Sequence, residues 1–176
     1  MSLALAALLA AASGLLCLPR AEAQDPREYS IKAAYLYNFA RYVDWPQQAL
    51  PENGNLVVGV IGKDPFGPAL NTLSGKNVKG RNVVVRRFDT PREASRCHVL
   101  FIPESERSRL PQILEAVKDE SVLTVSDISG FARSGGMINF KSEDNRIRFE
   151  INPGAAERAK LSLSSQLLKL AKVVRT

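Results

Sequence analysis

From residue 26 to residue 46 the chain reads PREYSIKAAYLYNFARYVDWP, and its polar positions crowd onto one side of a helical wheel. Ser30, Asn38, Arg41 and Asp44 share that side. Ile31, Ala33, Tyr35, Leu36, Phe39, Ala40, Tyr42 and Val43 fill about 200° of the rest, interrupted by Lys32. Asp25 as N-cap, Pro26 at the first helical position and Glu28 closing a capping box predict the start of a helix. Trp45-Pro46 predicts its end near Asp44. A helix lying on one side of a core needs an apolar stripe of about 100°. Two readings follow: deep burial against several elements, or an apolar face that meets a partner through Tyr35, Leu36, Phe39, Ala40 and Val43.

Beyond this helix the period changes. LVVGVIG at 56–62 is a continuous β-branched run, the pattern of a strand covered on both faces. A turn, GKDPFGP, leads into a short helix over 68–74, and NVVVRRF at 82–88 predicts a second strand. CHVLFIP (97–103) and VLTVSD (122–127) predict two more. Between them a helix is expected from a Ser105 N-cap to about Lys118, with Ile113, Leu114 and Val117 inward. MINFKSEDNRIRFEIN reads as two alternating strands, 137–142 and 146–151, in a hairpin around Glu143-Asp144-Asn145. Asn152-Pro153 opens a last helix expected to reach about Val174, with Ala156, Ala159, Leu163, Leu167, Leu170 and Val174 as its stripe. The fold class is α/β: a mostly parallel sheet flanked by helices, a C-terminal antiparallel edge hairpin and a final long helix.

The first 23 residues, MSLALAALLAAASGLLCLPRAEA, form an apolar run ending in a small-x-small motif. That pattern predicts a signal peptide cleaved after Ala23, and a single domain over residues 24–176. The run is shorter than the roughly 20 residues of a membrane span. No Lys or Arg precedes it, and Leu16 stands before Cys17 where a lipobox has Gly or Ala. Cleavage leaves Cys97 as the one cysteine, read as a small buried thiol in an apolar strand, with an intermolecular disulfide as the alternative. The net charge of +6 is spread over the chain. It suits a solvated basic surface near anionic membrane or an acidic partner better than nucleic-acid binding.

Candidate chemistry is sparse. GKDPFG has the glycine spacing of a phosphate loop but places Pro68-Ala69 where Lys and Ser or Thr belong. His98 is the lone histidine, so neither a zinc site nor a Ser-His-Asp set can be assembled, and a structural role is expected. No catalytic residue, metal or cofactor is assigned. Asp64 and Asp127 follow strands at the end of the sheet where α/β folds place ligands. With Gly62, Gly135, Gly136 and Arg148 they make a candidate anion or metabolite crevice, although turn and cap roles suit both aspartates.

KAAYLYNFARYVDWP at 32–46, GKDPFG, CHVLFIPESE at 97–106, LTVSDISGFARSGGMINF at 123–140 and RFEINPGAAERAKLSLSSQLLKLA at 148–171 resemble the YfiR family. The resemblance runs in order over nearly the whole chain after residue 31. It implies a periplasmic, non-catalytic α/β regulator, often a homodimer. In the characterised type such a protein represses an inner-membrane diguanylate cyclase by binding its periplasmic sensor domain, and an outer-membrane lipoprotein relieves the repression. Some members serve other systems, including sensor kinases, so a ligand-binding module feeding a membrane receptor is the alternative. Family members can carry further cysteines in intramolecular disulfides; this chain departs from that pattern.

Overall fold

The computed structural model describes residues 26–175. The leader, its cleavage point after Ala23, Cys17 and the Asp25 cap lie outside the described residues. Helix α1 (Pro26–Tyr42) runs into a two-residue strand, β1 (Val43–Asp44). Then follow β2 (Leu56–Ile61), α2 (Pro68–Asn71), β3 (Asn77–Val78), β4 (Arg81–Phe88), α3 (Pro91–Ala94) and β5 (Val99–Ile102). A 3-10 turn (Glu104–Arg109) leads to α4 (Leu110–Val117) and β6 (Leu123–Ser126). The hairpin is β7 (Ile138–Glu143) and β8 (Arg146–Ile151), and α5 (Pro153–Arg158), β9 (Ser162–Leu163), α6 (Ser165–Leu170) and β10 (Lys172–Val173) complete the order.

Eight strands form one sheet in the order β10-β8-β7-β6-β5-β2-β4-β3. The block from β4 to β7 is parallel, β3 is antiparallel to β4 and β8 to β7, and β10 runs parallel to β8. Hence β10, not the hairpin, forms that edge. The short β1 pairs with β9 in a separate antiparallel ladder. All six residues of β2 are buried, as the continuous apolar run requires of a strand at the sheet's centre.

Alternation assigns the strand residues to two cores. Leu56, Val58, Val99, Phe101, Leu123, Val125, Ile138, Phe140 and Phe149 face α1 and the C-terminal segments. Val57, Ile61, Leu100 and Ile102 face α3, α4 and the loop carrying Ile128 and Phe131. Gly59 breaks the bulk on the second face for a reason: a Cβ there would lie 2.4 Å from the Phe88 ring, which crosses over from β4.

Two expectations change. The helix expected over 105–118 begins as the 3-10 turn with Pro103, not Ser105, at its cap. The final long helix is absent; α5 and α6 are separated by the β9 ladder. Lys160 sits in the left-handed region (φ 59°), Leu161 N–H bonds to the Ala156 carbonyl (2.9 Å) and Lys160 N–H to Glu157 (2.9 Å). That is a Schellman ending, built without the glycine that advertises one.

Candidate functional site

α1 is wide in apolar residues because several elements cover it. Tyr35 and Phe39 enter an aromatic cluster with Phe140 and Phe149, Phe39 meeting Phe149 at 5.1 Å and Phe140 at 5.7 Å. Leu36 and Ala40 are wholly buried, Phe39 is 1% exposed, and Val43 is held in the β1–β9 ladder opposite Leu163. Tyr35 is half-buried, its hydroxyl reaching the Ile147 carbonyl. Of the expected partner-binding face of Tyr35, Leu36, Phe39, Ala40 and Val43, the last four are therefore core, covered by this chain's own sheet and C-terminal segments, with half-buried Tyr35 at the margin.

Lys32, the one interruption in that apolar surface, organises the polar centre of the molecule. Its side chain is 4% exposed and its ammonium lies 2.7 Å from both Glu28 and Asp127. A lysine this buried needs paired carboxylates. Asp127, just past β6, also accepts from the Tyr29 hydroxyl (2.8 Å) and from the Glu104 backbone N–H (3.1 Å). Burial first, and then the Asp127 carboxylate, push the Tyr29 phenol upward, so its hydroxyl stays a donor. The ammonium lies 4.3 Å from the Tyr29 ring centre, adding a cation–π contact. Asp127 thus ties α1 to the end of the sheet. The sequence signal was Glu28-x-x-x-Lys32, a helical i,i+4 pair.

The six expected ligand residues do not share one crevice. Strand order reverses between β2 and β5, the place where an open α/β sheet usually takes a ligand. There Gly62 (φ 72°) leaves room for the Glu106 side chain, which a Cβ would meet at 2.0 Å. Glu106 is buried, and Arg109 donates to it at 2.7 Å. The chain's own carboxylate fills that space. Asp64 accepts from the Phe66 N–H (2.7 Å) and from Arg87 (2.7 Å), a turn and anchor role. Gly135 and Gly136 precede β7, which runs parallel to β6, so they lie at the opposite end of the sheet from Asp127. Gly136 packs against Phe131, where a Cβ would fall 2.1 Å from the ring, and Gly135 borders an open cleft of about 510 Å³ with Leu114, Lys118 and Arg158. Arg148 is exposed on the hairpin, opposite Lys141.

His98 and Cys97 are structural. The Nδ1 of His98 accepts from the Val57 N–H (2.9 Å), and its Nε2 lies 3.0 Å from the Ala49 carbonyl, which fixes the Nε2–H tautomer. Burial is the main cause holding its pKa below the ordinary value. Cys97 is buried with its thiol donating to the Ala94 carbonyl, and burial pushes that thiol up. An intermolecular disulfide through it has no access. Among the described residues no His, Cys, Asp and Glu side chains gather into a metal-binding group, and no helix is long and apolar enough to cross a membrane.

A profile of the YfiR/HmsC-like family (DUF4154) matches residues 29–172. The chain belongs to this family. The match spans every element from the polar anchor on α1 to the start of β10. No curated protein matches the chain. The YfiR/HmsC-like family is regulatory and non-catalytic and is connected in general with cyclic di-GMP signalling and with membrane signalling proteins.

Proposed function

We propose that this chain is a periplasmic regulator that binds the extracytoplasmic sensor domain of an inner-membrane diguanylate cyclase and holds the enzyme inactive. The family match over residues 29–172 is the observation that carries the reading. The signal-peptide pattern of residues 1–23 supports action outside the cytoplasm. The Glu106 carboxylate filling the strand-order crevice favours a protein-binding role over a small-ligand one. Association with an outer-membrane lipoprotein, and a homodimer, belong to the same proposal.

Deleting the gene is expected to raise cyclic di-GMP and surface attachment. Restoring the full chain should reverse both, whereas a copy lacking residues 2–23 should not. Dinucleotide levels that stay unchanged on deletion would move the output to another system, a sensor kinase first. Full restoration by the leaderless copy would place the activity in the cytoplasm and sink the periplasmic reading.

A further inference from the structure

The outer side of the hairpin is only half covered. β10 pairs with Glu150 and Ile151 of β8 and with nothing before them, so Arg146–Phe149 have no strand on that side among the described residues. The Ile151 carbonyl accepts from Val174 N–H at 2.7 Å, which shows that Ile151 turns its backbone groups outward. By the two-residue period of a strand, Ile147 and Phe149 do the same. The Tyr35 hydroxyl, 3.4 Å from the Ile147 carbonyl, reaches it on this side.

A groove of about 260 Å³ lies against this edge, bordered by Lys141, Arg148, Lys172, Glu143, Glu150 and Leu170. Leu170 is 70% exposed, the most exposed of the large apolar side chains among the described residues. The charge around the groove is unbalanced. Lys141 and Arg148 stand directly opposite each other in the β7–β8 ladder. Like charges so placed are destabilising. Neither they nor Arg146 and Lys169 form an ion pair among the described residues. Glu150 is engaged by Lys172 at 3.7 Å, and Glu143 faces Arg146 across the ladder. The edge therefore combines the outward N–H groups of Ile147 and Phe149, an exposed apolar anchor and cations that form no ion pair among the described residues, Glu143 lying across from Arg146.

We propose that the free edge of β8 at Arg146–Phe149 takes up an extended acidic segment of the partner protein as an added strand, with Leu170 as its apolar contact. The proposal deepens the function stated above and rests on it for the partner's nature. Strand addition draws affinity from main-chain hydrogen bonds and specificity from alternating side chains. Here the alternate side chains Arg146 and Arg148, with Lys141, select carboxylates. A second copy of this chain is the poorer occupant, because pairing two β8 edges would set the same cations against each other.

Two arms test it. In cells lacking the gene, the wild-type chain and Arg148→Glu are compared for control of cyclic di-GMP. Arg148→Glu converts the like-charged pair with Lys141 into an opposite-charged one, so its Tm should hold or rise while control is lost. Loss of control with unimpaired stability cannot come from misfolding. Control at the wild-type level by Arg148→Glu overturns the proposal; a wild-type chain that exerts none overturns the assigned function. The second arm is independent of the partner. A short synthetic peptide of alternating Glu and Val is added to the purified chain, and amide exchange is read at Ile147 and Phe149. Both amides should be protected, and Arg148→Glu should weaken binding by about tenfold or more. Ile147→Pro removes one outward N–H without touching the bonds to β7 and should abolish the protection. Unprotected amides overturn strand addition. Arg148-dependent retention on phosphatidylcholine–phosphatidylserine vesicles, without peptide binding, would also overturn it and assign the edge to lipid.

Discussion

Replacing Lys32 by Met tests the central claim about α1. The ammonium serves two carboxylates at 2.7 Å each, one of them, Asp127, only 11% exposed. Removing one member of a buried pair typically costs about 3–5 kcal/mol, because the remaining charge stays desolvated. Asp127 keeps the Tyr29 hydroxyl and the Glu104 N–H, and Glu28 is one-third exposed to water, so the lower end applies: about 3 kcal/mol. For a chain of this size that is a fall in Tm of about 6–12 °C. Asp127→Asn should lose less, about 1–2 kcal/mol, since Lys32 keeps Glu28 and the amide still accepts from Tyr29. The double variant Lys32→Met with Asp127→Asn should lose less than the sum of the two single losses, because both charges of the pair leave together. Urea unfolding followed by circular dichroism gives all the values. A Lys32→Met loss below about 1 kcal/mol, or a greater loss for Asp127→Asn, would refute the view that this lysine anchors α1.

Leu36→Asp should unfold the chain, since its side chain is fully buried in the aromatic core; a folded variant of native circular dichroism would reopen α1 as a surface. His98 gives a pH dependence whose sign is fixed by its lowered pKa. The unfolded state binds the proton first, so its contribution is complete above about pH 6.5 and is lost as pH falls below that value. His98→Gln should flatten unfolding free energy against pH in that window, and an unchanged slope would remove His98 as its source. Gly136→Ala drives a methyl into the Phe131 ring and should lower stability by about 1–3 kcal/mol, whereas Gly135→Ala meets open space and suffers only its positive φ. Equal losses at the two positions would contradict the packing described.

The sheet was legible wherever one pattern had one meaning. The unbroken β-branched run of β2 and the alternation on either side of Asp144-Asn145 gave strands within a residue or two of those observed, and the turn is of the left-handed type that the hairpin needs. The breadth of α1 had two physical meanings, docking or burial, and periodicity carries no information about which. The answer depended on where the C-terminal segments pack. The break after α5 was hidden because a lysine, not a glycine, takes the left-handed position. Of the candidate site, Asp64 takes the turn role weighed for it, whereas Asp127 is the buried partner of Lys32, a long-range pairing that no local pattern shows. The gathering of six residues into a crevice failed on topology: a loop returning from β6 to β7 carries Gly135 and Gly136 to the far end of the sheet.

The aromatic contacts of α1 have a kinetic corollary. Tyr35 and Phe39 find their rings on Phe140 and Phe149, about a hundred residues later in the chain. A helix with so much apolar surface cannot bury it until the hairpin has been made, and loop closure over that span disfavours early collapse onto it. The earliest segment to emerge is thus among the last to settle. Under the export proposed above, that order leaves α1 without its aromatic cover until the last third of the chain has arrived.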